Sequence, residues 1–163
     1  MKRKNNNCKP AAVSPLDAAL SYLTGRMRSV REVEEKLDDL QYGEADILAT
    51  VERLKELNHL NDEEYAREFV RSRLATKPVS RQKLYLDLRG HKIQEELISL
   101  ALDELPEETE SDNALSVAQK FWRQMSALDE PVRRERVLRR LLSRGFSTEA
   151  SLAALRRIAE EEP

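Results

Sequence analysis

The chain has 163 residues, 36% of them charged and 5% aromatic, with a formal net charge of −2. A mean hydropathy of −0.67 and only four glycines argue against a β-sandwich or a nucleotide-binding α/β fold, which draw on more glycine turns and β-branched alternation. No apolar run approaches the roughly twenty residues that span a bilayer, and the start is polar rather than signal-like, so a cytoplasmic protein is expected.

Residues 1–14 carry Lys2, Arg3, Lys4 and Lys9 with almost nothing to bury, and read as a disordered basic tail. The single cysteine, Cys8, lies there and excludes an internal disulfide framework. A first helix is expected over residues 16–23, ended by Thr24 and Gly25. Ser29 with Glu32 forms a capping box for a helix reaching residue 40. After a turn at Tyr42, residues 44–57 place Ile47, Leu48, Val51 and Leu54 at helical spacing. Asn61 or Asp62 caps the next helix, which holds Tyr65, Ala66, Phe69 and Val70. Lys77-Pro78 breaks it, because proline lacks a donor and biases its predecessor away from helix. Ser80 restarts the pattern with Leu84 and Leu88, and a stripe of Leu97, Ile98, Ala101, Leu102 and Leu105 follows. Pro106 and the acids after it form a linker. Beyond it come Leu115, Ala118, Phe121 and Trp122, a break at Asp129-Glu130-Pro131, an arginine-rich helix and a Gly145-Phe146 turn. Ser147, with Ala150 and Leu152, opens the last helix.

One spacing recurs three times. Leu37 and Tyr42, Leu88 and Ile93, and Leu141 and Phe146 are each five residues apart. Val33, Leu84 and Val137 stand four residues before the leucine, and Val51, Leu102 and Leu155 nine after the turn residue. Leu54, Leu105 and Ile158 stand twelve after it. The expected fold class is all-α: three tandem three-helix repeats with helix-turn-helix-like corners, stacked as an elongated array. The expected divisions are the tail at 1–14, a first repeat at 15–60, a second with its acidic linker at 61–109 and a third at 110–163.

Charge is segregated along this pattern. Acids dominate from Glu32 to Glu64, bases from Arg67 to Arg89, and bases again from Lys120 to Arg144. A net charge near zero therefore does not argue against a polyanionic partner, since binding responds to local fields. Catalysis has little to stand on: His59 and His91 sit at turns without a partner at metal-ligand spacing, and no glycine-rich phosphate loop exists. No catalytic, metal or cofactor residue and no small-molecule substrate is expected.

Arg133, Arg136, Arg140 and Arg144 line the face opposite Val137, Leu138, Leu141 and Leu142. This ridge is either a solvated outer face or a surface for phosphates, which the planar guanidinium fork suits. Arg67 and Arg71 form a weaker ridge, and Lys77, Arg81 and Lys83 complete the basic residues expected to face a partner or DNA. Arg73 falls on the buried side of its helix and is expected to reach helix C-terminal carbonyls or a carboxylate of the first repeat. Tyr65, Phe69, Phe121 and Trp122 occupy helical apolar positions and read as core rather than as base-stacking groups.

Residues 57–73, LNHLNDEEYAREFVRSR, resemble the RecX family of recombination regulators, as do AQKFW at 118–122 and RVLRRLLSRGFS at 136–147. LSYLTGRMRSVREVEEKL at 20–37 is similar to that family's opening helices, and the resemblance covers residues 16–158. It implies a non-enzymatic modulator that docks in the groove of RecA filaments on single-stranded DNA. Such a protein restrains RecA ATPase, strand exchange and coprotease activity in DNA repair, homologous recombination and the SOS response. The expected partners are thus RecA, its nucleoprotein filament and single-stranded DNA. Two departures stand out: Gln41 and Lys92 occupy the place where the family has glycine before the turn residue, and Ala75-Thr76-Lys77-Pro78 replaces a Lys-Gly segment. Both predict a different turn geometry in the first two repeats. The rival readings are a helix-turn-helix-like protein that reads duplex DNA and a helical adaptor for some other protein.

Overall fold

Three serines, Ser29 and Ser80 buried and Ser14 exposed, start helices in the same way. The hydroxyls of Ser14, Ser29 and Ser80 accept from the amides of Asp17, Glu32 and Lys83 at 3.1, 3.1 and 3.0 Å, satisfying donors that a helix start leaves without partners. Glu32 returns a bond to the Ser29 amide at 2.9 Å, completing the capping box. The structure, a computed structural model, describes residues 13–106 and 109–161, so the basic tail expected at 1–14 lies outside the described residues except for Val13 and Ser14. Among them are nine helices and no strand: α1 (Pro15–Leu23), α2 (Val30–Asp39), α3 (Glu44–Glu56), α4 (Asp62–Thr76), α5 (Arg81–Gly90), α6 (Glu95–Asp103), α7 (Thr109–Gln124), α8 (Glu130–Ser143) and α9 (Thr148–Glu161).

The helices pack in threes, α1 to α3, α4 to α6 and α7 to α9, each set around its own cluster of apolar side chains. The recurrent positions are the centres of these clusters. Val33, Leu84 and Val137, and Leu37, Leu88 and Leu141, are all buried. Val51, Leu102 and Leu155 join them from the third helix, with Leu54 and Ile158 buried and Leu105 partly so. Ile93 and Phe146 are buried, whereas Tyr42 is half-buried, its hydroxyl donating to the Val13 carbonyl at 2.6 Å. Leu48 and Leu142, read as core from their spacing, lie on the solvent side at 54% and 42% exposure. Each is one residue round from a buried neighbour, Ile47 or Leu141, and the packed stripe is too narrow to include both.

The five-residue spacing has a backbone cause. In each module the amide of the turn residue donates to the carbonyl of the leucine five before it: Tyr42 to Leu37 at 3.2 Å, Ile93 to Leu88 at 3.2 Å, Phe146 to Leu141 at 3.3 Å. The residue just before adopts a left-handed conformation, with φ of 63° at Gln41, 63° at Lys92 and 84° at Gly145. This is a left-handed helix cap, in which a hydrophobic contact between the two ends of the bond is customary. The first two modules therefore keep the geometry of the third, contrary to what the missing glycines suggested. Burial of the flanking Leu and turn residue holds Gln41 and Lys92 in a region that costs an L-residue about 1–2 kcal/mol.

The chain divides into two compact units, Met1–Asn61 and Asp62–Pro163. Within the second unit, α4 to α6 and α7 to α9 meet at one backbone contact, where the Ser80 amide donates to the Arg144 carbonyl at 3.2 Å. Gly145 lies close against this point: a Cβ there would come within 2.6 Å of Ser80 Oγ and 3.0 Å of Lys83 Cβ. None of the helices is long and apolar enough to cross a membrane, among the described residues.

Candidate functional site

The basic residues singled out from the sequence divide according to what their donors do. Arg81 opens α5 and spends its guanidinium on the end of α6, donating to the carbonyls of Leu102, Leu105 and Pro106 at 3.1, 2.6 and 3.2 Å. Those carbonyls are the ones a helix C-terminus leaves without partners. Arg67 is held by Glu104 and Glu63, each at 2.7 Å, and these hydrogen bonds, Glu104's first, raise its pKa above the ordinary value. Arg71 pairs with Glu68 at 2.8 Å on an exposed turn of α4, a contact worth little in water. Lys77 is exposed and makes no ion pair among the described residues.

The ridge on α8 is divided. Arg133 folds back onto α7, its Cζ 4.0 Å from the Trp122 ring centroid and its Nε donating to the Trp122 carbonyl at 2.7 Å. Arg144 turns into the contact between the two modules and donates to the Pro78 carbonyl at 2.9 Å. Arg136 and Arg140 remain exposed. Two of the four arginines thus hold the fold, at the two ends of α8 where neighbouring segments come close, and two face solvent.

A compact group of cations collects where Arg144 turns in. Arg140 and Arg144 both lie over the Phe121 ring, at 5.4 and 5.3 Å from its centroid. Arg73 approaches from α4 and Lys83 from α5, and the two share Asp87, at 3.2 and 2.7 Å. The carboxylate that Arg73 meets is therefore in its own module, on α5, and not in the first, since burial of the α4–α5 face brings Asp87 to it. Burial, and then repulsion by Arg140 and Arg73, lower the pKa of the Arg144 guanidinium, which stays charged because a guanidinium does not lose its proton in proteins. Neither Arg140 nor Arg144 has a carboxylate partner among the described residues.

The sequence reading contained Lys83, Arg140 and Arg144 but not their grouping with Arg73, Phe121 and Pro78. No local signal could have supplied it, because Arg144 and Pro78 are 66 residues apart. The first unit offers the opposite charge. A groove between α2 and α3 is lined by Glu34, Glu35, Asp38 and Glu44, with Arg31 bonded to the first two. His59 is exposed, and His91 closes α5 with its ring against Tyr65 and Phe69.

Comparison with known proteins matches residues 16–54, 61–102 and 108–155 to the first, second and third three-helix domains of RecX, in that order. A regulatory protein RecX of Prosthecochloris aestuarii is 31% identical over 134 residues, covering 82% of this chain and 86% of that protein. One from Bacillus cytotoxicus is 29% identical over 144 residues and 88% of this chain. The crystal structure of RecX from Lactobacillus salivarius superposes with a TM-score of 0.74 at 25% identity, covering 89% of this chain and 94% of that one. The chain spans about half the length of the Bacillus relatives, 53% and 54%.

Proposed function

This chain belongs to the RecX family of regulatory proteins, and on that premise we propose that it binds RecA and the RecA filament on single-stranded DNA, restraining ATPase, strand exchange and coprotease activity. The observation that carries this reading is the presence of all three RecX three-helix domains, in order, over residues 16–155. A protein of this kind acts by occupying a surface rather than by chemistry, in the cytoplasm where recombination filaments form during repair and the SOS response. The two signs of charge suit such a role. Acidic side chains of the α2–α3 groove would meet basic protein surface, and the exposed arginines of α8 would sense the DNA that runs through a filament.

Duplex reading by the corner helices is disfavoured on electrostatic grounds. A recognition helix presents its N-terminal residues to base edges, and here the third helices begin with Glu44 and Asp46, Glu95 and Glu96, and Glu149. The test is a titration of this protein into a cognate RecA hydrolysing ATP on single-stranded DNA. The rate is expected to fall at or below stoichiometric protein, while the protein alone hydrolyses no nucleotide. An unchanged rate over a wide concentration range would leave the helical adaptor as the better reading.

A further inference from the structure

The contact between the second and third modules gathers several cations around one close backbone junction. The junction is made by the Ser80 amide on the Arg144 carbonyl at 3.2 Å, the Arg144 side chain on the Pro78 carbonyl at 2.9 Å, and Gly145 packed where a Cβ would come within 2.6 Å of Ser80 Oγ. Around that junction stand Arg73, Lys83, Arg140 and Arg144. Asp87 serves Arg73 and Lys83, and Arg140 and Arg144 beside them have no carboxylate partner among the described residues. Such crowding is unfavourable unless something negative joins it, and partial burial strengthens the repulsion by lowering the local dielectric. Donors are also in excess. A guanidinium carries five N–H groups, yet Arg144 spends only the bond to Pro78 on protein, Arg140 has no side-chain acceptor among the described residues, and Arg73 Nε is buried without an acceptor.

We propose that this seam seats backbone phosphates of a single-stranded nucleic acid, gripped by the forks of Arg140 and Arg144 with Arg73 behind them, and continued along α8 by Arg136. Linear arrangement favours a phosphate chain over an acidic protein segment. Arg136, Arg140 and Arg144 follow one another at intervals of four residues on α8, about 6 Å of rise per step, and the line ends on Arg73 across the seam. A polymer with one charge per unit can follow such a line, and a single strand bends to reach the half-buried Arg144 where a duplex cannot. Phe121 underlies both arginines and keeps the two cations side by side, because a cation over a ring face is attracted to it. The proposal rests on the RecA reading only in taking DNA as the natural nucleic acid; its test contains no RecA, so the two fail separately.

The experiment is fluorescence anisotropy of a labelled oligothymidylate with the full chain, across a series of salt concentrations. Log affinity is expected to fall linearly with log salt, as counterions leave the strand. Arg140→Glu should weaken binding by about tenfold or more and flatten that slope. Arg157→Glu reverses the same charge on an exposed site of α9 and should change affinity by less than about twofold, unless the field is diffuse. Arg144→Lys keeps the charge and loses the fork, and should weaken binding while Arg140→Gln shows the loss at unchanged melting temperature. Equal effects of Arg140→Glu and Arg157→Glu, or no binding by the parent chain, would overturn the seat. Poly-glutamate competing better than the oligonucleotide would assign the seam to an acidic protein instead, and tighter binding of a duplex would reject the single strand.

Discussion

Gln41 and Lys92 show how a side chain's neighbours override its own preference. Their left-handed backbone is imposed by Leu37 with Tyr42 and by Leu88 with Ile93, whose contacts require the amide of the turn residue to reach back five residues. That pairing was legible in the sequence because both partners lie in one turn. Gly145 carries two constraints at once, a φ of 84° and the closeness of Ser80 and Lys83. Opposite signs of effect follow. Gln41→Gly relieves the strain at some entropic cost and should stabilise by up to about 1 kcal/mol, whereas Gly145→Ala should destabilise by about 1–3 kcal/mol. Urea denaturation followed by circular dichroism measures both, and a stabilised Gly145→Ala would contradict the close packing at the seam.

At the scale of the element, α8 combines structural and exposed arginines on what the helical wheel presents as one ridge. The serine position that caps α2 and α5 is taken in the third module by Arg133, because α8 starts three residues earlier and continues through it. Arg133 then finds Trp122 instead of an amide. Periodicity tells which side of a helix an arginine is on; it does not tell whether another element arrives at that side. Arg136 and Arg140 are the pair left exposed. Arg136→Glu with Arg140→Glu should shift stability by no more than about 0.5 kcal/mol, as surface changes away from packed features do. It should nevertheless remove most binding to a RecA–DNA filament, measured by co-sedimentation at low and high salt. Undiminished, salt-insensitive binding would reduce the α8 face to a solvated one.

For the molecule as a whole, the division into residues 1–61 and 62–163 follows the cores: one apolar cluster in the first unit, two in the second. The second and third modules share the Ser80–Arg144 and Arg144–Pro78 bonds and the Gly145 contact. A fragment of residues 62–163 should therefore unfold in a single cooperative transition with its helical signal intact. Gly145→Ala in that fragment should broaden the transition or split it, as the two clusters lose their coupling. Calorimetry decides this, and a fragment without cooperative melting would show that its two modules do not stand without the first.

Helix content, the threefold repeat, the capping serines and most of the core were set within stretches of a dozen or so residues, where period, cap and turn act on near neighbours. The sequence by itself also carried the family, through motifs in all three modules. Tertiary structure alone decided which basic residues are spent and which are free. Arg81 serves the end of α6, Arg133 the end of α7 and Arg144 the Pro78 carbonyl, and none of those acceptors is a near neighbour in the chain. A long, flexible cation has many reachable partners, and the one it takes depends on which backbone carbonyls packing brings within its reach and leaves without other donors.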